Sequence, residues 1–216
     1  MRSSGKGRVR SLVCADRYPR APANFLHHFY LKPNRLSALD SRENGVEHRR
    51  KTGRESWLED HLTVNIIGQA LSSGGIVLGL KATDAKHLCA EIAALVARRH
   101  PVDEELVFRA LWRREQCGST AIGHGIAVPH ARIPGIVAPV LLFARTKEPI
   151  PFGALDHQRV SAFFAILVPE HANEEHLRIL ATVSEMFSEK AFRKELDAAT
   201  EPGAIQRLFG NWASEK

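Results

Sequence analysis

The stretch Gly118–Arg132, read as G-S-T-A-I-G-H-G-I-A-V-P-H-A-R, decides the reading of this 216-residue chain. Gly123 and Gly125 stand two apart and make a turn in which backbone can approach a ligand closely. A short β-type run, Ile126–Ala127–Val128, follows, and Pro129 then delivers His130. Proline fixes its own φ and drives the preceding residue towards extended geometry, so Val128 should close a strand with His130 at its rim. Arg114 and Arg132 bracket the segment with positive charge, and Ser119 and Thr120 add hydroxyls. An imidazole among guanidinium groups, glycine amides and hydroxyls suits a phosphoryl group better than it suits a core.

The ordinary imidazole pKa near 6.5 leaves roughly three-quarters of an exposed histidine neutral at pH 7. A neutral ring has a free lone pair and can act as a nucleophile. Its phosphorylated form would carry about −1.5 to −2 charges if it behaves like other phospho-residues. Arginine is the best partner for that charge, because its planar fork donates paired hydrogen bonds. Taken alone, His130 reads better as an ordinary exposed loop histidine; the whole fifteen-residue block shifts the balance to the nucleophile.

That block resembles the phosphorylation-site motif of the type-2 enzyme IIA (EIIA) domains of the phosphotransferase system (PTS), the fructose, mannitol and nitrogen-related class. Their pattern of R-E, then G-S-T, then a G-x-G-I-A-[IV]-P-H turn is met here by Arg114–Glu115, Gly118–Ser119–Thr120 and Gly123–His130. A second block, an apolar strand ending in L-V-P before a helix with H-L near its start, appears as Phe163–Pro169 and then His176–Leu177. The stretch P-I-x-F-x-A-L-D, Pro149 to Asp156, is also similar. The resemblance covers about residues 62–210 in order, and it points to the nitrogen-regulatory enzyme IIA in particular.

The resemblance implies an α/β fold, a mixed β-sheet flanked by helices in a single domain of the mannitol/fructose-type enzyme IIA kind. It implies that His130 accepts the phosphoryl group, that His176 supports it by hydrogen bonding, and that Arg114 stabilises phosphate charge. Ser119, Thr120, Gly125 and His124 are the expected phosphate-binding neighbours. The turn residue is often Asn in the family, and here it is His124. This third imidazole either donates to phosphate, adds pH sensitivity, or is a tolerated turn residue, since Asn and His both enter left-handed conformations more readily than most. The implied partners are an HPr-like phosphocarrier or its nitrogen-branch counterpart as donor. Downstream stands a regulatory target such as a sensor kinase or transporter, or a separate IIB domain of a sugar permease. The chemistry requires neither cofactor nor metal.

Charge is unevenly distributed. The formal net charge is +6, but residues 1–57 hold 13 Lys+Arg against 5 Asp+Glu, while residues 58–216 hold 17 against 19. The expected domain, 61–212, is therefore close to neutral and gives no reason to expect nucleic-acid binding. Residues 1–60 read as a basic extension, either an arm for an acidic partner or a disordered tail. Cys14, Cys89 and Cys117 show no metal or redox spacing, and Cys89 falls on a helical pattern as a small core residue. The longest apolar runs, Ile136–Ala144 and Val160–Val168, are about half of the roughly 20 residues that a spanning helix needs. No membrane insertion is expected, and a cytoplasmic location is.

Periodicity supplies the remaining elements. Gly74–Leu80 reads as a strand, and Thr83 or Asp84 can cap a helix to about Arg99 with Leu88, Ile92, Leu95 and Val96 as its stripe. Asp103 can start a second helix through Trp112, which would release Arg114 and Glu115 into a short loop. Val137–Thr146 and Val160–Val168 read as buried strands, Glu174–Lys190 as an amphipathic helix, and Ala191–Ala199 and Gly203–Phe209 as further helices. Two readings from other classes stand beside the carrier. One is a binding module that has lost phosphorylation. The other is a metal hydrolase, which the 11 histidines invite but their spacing does not support, since no H-E-x-x-H occurs.

Overall fold

Residues 63–64, 66–72, 74–171 and 174–212 are described by a computed structural model, with the side chains of 174–176 outside the description. The expected extension over residues 1–60 lies outside the described residues. Helical residues 66–72 lead into β1 (Ile76–Leu80), α1 (Ala85–Ala97) and α2 (Glu104–Gln116). Three short strands follow, β2 (Ala121–Gly123), β3 (Ile126–Ala127) and β4 (His130–Ile133). The long strands β5 (Val140–Ile150) and β6 (Val160–Pro169) precede α3 (Glu174–Ser188), α4 (Lys190–Ala198) and α5 (Pro202–Gly210). Together they form the mixed sheet with flanking helices that the motifs imply.

The sheet runs β1-β5-β6-β3-β2, with β4 also on β6. β5 is antiparallel to β6, and β1 is parallel to β5. On the other edge of β6 lie β3 and then β4, both parallel to it, so the Val128–Pro129 step carries the chain along one strand edge. Every residue of β6 from Ala162 to Val168 is buried. Its sequence shows no polar alternation because both faces are covered. Phe163, Ala165 and Leu167 point into a core with α1 and α2, including Leu88, Ile92, Val107 and Leu111. Ala162, Phe164, Ile166 and Val168 point into a second core with Ile67, Leu71, Ile179, Val183, Phe187, Phe192 and Phe209.

Of the two caps the sequence offers for α1, Asp84 is the one used: its Oδ1 accepts the His87 N–H at 2.9 Å, while the Thr83 hydroxyl donates to Asp84 Oδ2. Two other boundaries differ from the sequence expectation. The second helix does not end at Trp112 but continues to Gln116, because nothing breaks it before Gly118, whose φ is +152°. Arg114 and Glu115 therefore belong to its last turn rather than to a loop. Likewise β5 starts three residues later than Val137, beyond the Pro134–Gly135 turn and Pro139, and it extends to Ile150.

Candidate functional site

The β2–β3 hairpin turns on His124–Gly125, with φ of +56° and +72° and Gly123 at +90°. Positive φ at both central residues marks the tight hairpin turns that match the twist of their strands. Glycine enters that region freely, and histidine is among the side chains that tolerate it. Asp156 pins the turn from the loop before β6: its Oδ2 accepts the His124 N–H at 3.0 Å and its Oδ1 accepts the Gln158 N–H at 3.1 Å. These N–H donors hold the Asp156 carboxyl below the usual carboxylate range, that of Gln158 most and that of His124 next. The Gly125 carbonyl accepts from Ser161 and Ala162, which fastens the turn to the start of β6.

Pro129 is buried and His130, the first residue of β4, is half-buried. Ala131 and Ile133 fill the α1/α2 core, and the strand's alternation gives His130 and Arg132 partial exposure. The His130 ring is held at both nitrogens. Arg114 Nε, from the last turn of α2, donates to Nε2 at 3.0 Å, and Nδ1 lies 2.8 Å from the Val128 carbonyl oxygen. A guanidinium only donates and a carbonyl only accepts. Both partners therefore require the same tautomer, with the proton on Nδ1 and the lone pair on Nε2. Arg114 is itself anchored by donating from its Nη1 to the Gly118 carbonyl at 2.7 Å.

Ser119 and Thr120 lie close in sequence to this pair, but their hydroxyls are turned to protein acceptors. Ser119 Oγ donates to the Phe152 carbonyl at 2.7 Å and accepts the Ala121 N–H. Buried Thr120 donates its hydroxyl to Glu115 at 2.6 Å and its N–H to the same carboxylate. His124 is exposed and joins the turn through its backbone. Gly125 serves as hairpin residue and anchor, and Arg132 donates to the Glu170 carbonyl at 3.2 Å. His176 lies in the first turn of α3, five residues after His171, and its side chain is outside the description. The fold thus joins Arg114 to His130 directly and assigns Ser119 and Thr120 protein partners.

Three contributors were not singled out from the sequence. Glu115 was read only as half of an R-E pair, yet it is a buried carboxylate gripping Thr120. Asp156 was recognised as the end of a family-like stretch without a task. The Val128 carbonyl is backbone and leaves no side-chain signal. Among the described residues no group of three or more His, Cys, Asp or Glu is placed to hold a metal ion, and no helix is long and apolar enough to cross a membrane.

Comparison with known proteins bears on the fold and the family. The family model described as phosphoenolpyruvate-dependent sugar phosphotransferase system, EIIA 2, matches residues 69–212. A nitrogen regulatory protein of Bradyrhizobium diazoefficiens is 36% identical over 134 residues, covering 62% of this chain and 88% of that one. One of Pseudomonas aeruginosa is 36% identical over 141 residues, with coverage of 65% and 92%. The crystal structure of the nitrogen regulatory protein IIA-Ntr of Neisseria meningitidis superimposes with a TM-score of 0.62 at 36% identity, covering 67% of this chain and 99% of that one.

Proposed function

From the premise that the chain belongs to the EIIA 2 family of the phosphoenolpyruvate-dependent sugar phosphotransferase system, we propose that it is a phosphohistidine carrier whose acceptor atom is Nε2 of His130. The donor is the phosphohistidine of an HPr-like phosphocarrier. The observation that carries this reading is the double hold on the His130 ring, from Arg114 at Nε2 and the Val128 carbonyl at Nδ1. It fixes the ring tautomer with the lone pair at Nε2, on a half-buried residue that opens β4.

The transfer breaks the donor's N–P bond and forms one between phosphorus and His130 Nε2. The donor imidazole, which carries a proton on its other nitrogen, keeps the electron pair of the broken bond and leaves as a neutral ring. The Nδ1 proton stays where it is, bonded to the Val128 carbonyl, so no proton has to move at His130. Arg114 Nε occupies the lone pair at rest, and it must yield as the new bond forms. Its anchor on Gly118 keeps it within reach, so it passes from the ring nitrogen to the phosphoryl oxygens. Charge stabilisation by a prepositioned donor and alignment of the two rings then carry the rate. His176 is assigned the second, supporting imidazole, and the Gly123–Gly125 turn a backbone approach to the phosphate. Ser119 and Thr120 contribute by building the turn rather than by donating to phosphate.

The likeness to nitrogen regulatory proteins supports a regulatory output, in which a sensor kinase or transporter in the cytoplasm distinguishes the phosphorylated from the unmodified surface. The test is incubation with enzyme I, an HPr-type carrier and phosphoenolpyruvate. Wild-type protein should gain an acid-labile, base-stable phosphate, and His130→Ala should not. Folded His130→Ala that still gains it overturns the assignment. Equal affinity of a target for both forms, measured by calorimetry, favours a binding module instead.

A further inference from the structure

Glu115 is a buried carboxylate that the transfer above does not use, although it is the immediate neighbour of Arg114. Its exposure is 9%, and its bonds converge on a single residue. Both carboxylate oxygens accept the Thr120 N–H, at 3.2 and 3.0 Å, and Oε2 also accepts the Thr120 hydroxyl at 2.6 Å. A side chain held through two donors cannot turn without stranding a buried charge, which is costly.

Thr120 passes the constraint on. Its carbonyl accepts the Val128 N–H at 2.9 Å, and the Val128 carbonyl faces His130 Nδ1 at 2.8 Å. Val128 has its N–H tied to Thr120, its carbonyl to the ring, and its side chain buried at 2% exposure in the second core. The adjacent residues 114 and 115 thus reach the two nitrogens of one imidazole by separate routes. Arg114 reaches Nε2 directly, and Glu115 reaches Nδ1 through Thr120 and Val128.

We propose that Glu115 is a positioning residue for phosphoryl transfer: by clamping Thr120 it fixes the Val128 carbonyl that keeps the His130 proton on Nδ1 and the lone pair on Nε2. Which nitrogen of a neutral histidine carries the proton is set by the hydrogen bonds the ring makes. Once the Val128 carbonyl drifts, the Nε2–H tautomer becomes populated, and that tautomer has no lone pair where the phosphoryl group arrives. The inference rests on the reading of His130 Nε2 as the acceptor.

The experiment combines nitrogen-15 NMR of the His130 ring in the full chain with the rate of phosphoryl uptake from an HPr-type carrier. Wild-type protein should show the Nδ1–H tautomer alone. Glu115→Ala should show both tautomers and a fall in kcat of about 10²-fold, the scale of a small misplacement at a reacting centre, with KM for the carrier unchanged. Glu115→Gln retains an oxygen that can accept from Thr120, and it should recover the single tautomer and most of the rate. A folded Glu115→Ala with the wild-type tautomer and kcat overturns the proposal, as does an equal loss in kcat with no change of tautomer. If Glu115→Ala does not fold, Thr120→Val decides: several-fold slower transfer with mixed tautomers supports the clamp, and wild-type behaviour overturns it. The tautomer measurement needs no phosphoryl donor. Wild-type protein that takes up no phosphate would therefore defeat the carrier reading, while the ring spectra would still decide whether Glu115 sets the tautomer.

Discussion

At the scale of single residues the site works by restricting what each group can do. Arg114 can only donate and the Val128 carbonyl can only accept, so His130 is left with one arrangement of its proton. In the proposed transfer, the same guanidinium is the group that meets the incoming charge. Arg114→Lys keeps the charge but loses the planar fork and its Gly118 anchor. We expect it to lower kcat for phosphoryl uptake, with Arg114→Ala lower still by about 10²–10³-fold relative to wild type, the loss typical of one charge-stabilising donor. Carrier KM should change little in either variant, and steady-state kinetics with a phosphorylated HPr-type carrier checks this. Elsewhere burial dominates. The Cys89 thiol, on the buried face of α1, is pushed up to about 12 mainly by burial, with the negative charges of Glu115 and Asp84 adding to it. Cys89 is therefore a core residue, in keeping with its helical spacing.

At the scale of elements, the turn that precedes His130 is fastened by a carboxylate whose charge matters. The Asp156 carboxyl lies below its ordinary value of 3.8 in the folded protein, since backbone N–H groups of Gln158 and His124 bond its charged form. A carboxyl depressed on folding contributes stability above its unfolded value and loses that contribution as pH falls through the folded one. The His124 amide should accordingly stay protected from hydrogen exchange well above pH 3.8 and lose protection selectively in stronger acid. Asp156→Asn should lose part of that protection at every pH, as NMR exchange rates would report. The helices show a separate dependence. Asp103 caps α2 by accepting the Leu106 N–H at 2.7 Å, and Glu104, Glu105, Arg113 and Arg114 match the ends of its dipole. Asp103→Ala should cost about 1 kcal/mol in urea unfolding and leave phosphoryl uptake intact, since the cap stands at the opposite end of α2 from Arg114.

At the scale of the molecule, β6 divides two cores and positions the site along its outer edge. Phe209 is the hub of the second core, with the rings of Phe143, Phe164, Phe187 and Phe192 at centroid distances of 5.7, 5.1, 6.0 and 5.2 Å. Those rings come from β5, β6, α3 and α4, so α5 closes the layer from the far end of the chain. Phe209→Ala should destabilise the fold by about 3–5 kcal/mol, seen as a lowered Tm. At temperatures where the variant remains folded, phosphoryl uptake should persist, because the Arg114–His130 pair is built on α2 and β4. Two polar ties reinforce the closure. Trp212 donates to Glu189 Oε2 at 3.0 Å, and Arg145 donates to the carbonyls of Leu196 and Ala199 at the end of α4.

The sequence by itself determined the local events. Gly123, His124 and Gly125 dictate a left-handed turn, Asp103 starts a helix, and the uninterrupted apolar run of β6 implies cover on both faces, whereas Val128, expected to close a strand, lies just past β3, which ends at Ala127. Each depends on residues within a few positions of one another, where backbone sterics and periodicity leave few choices. The end of α2 was misjudged from the sequence because charged residues such as Arg113, Arg114 and Glu115 extend a helix as readily as they leave one. Tertiary structure alone decided which groups meet. The sequence offers Ser119 and Thr120 as phosphate-binding neighbours, and the fold gives their hydroxyls Phe152 and Glu115 as acceptors, which no local pattern announces. The tautomer of His130 likewise depends on an arginine sixteen residues away and on a carbonyl oriented by Thr120. A hydrogen bond between distant residues needs both ends brought within about 3 Å, and only packing of the helices against the sheet sets that distance.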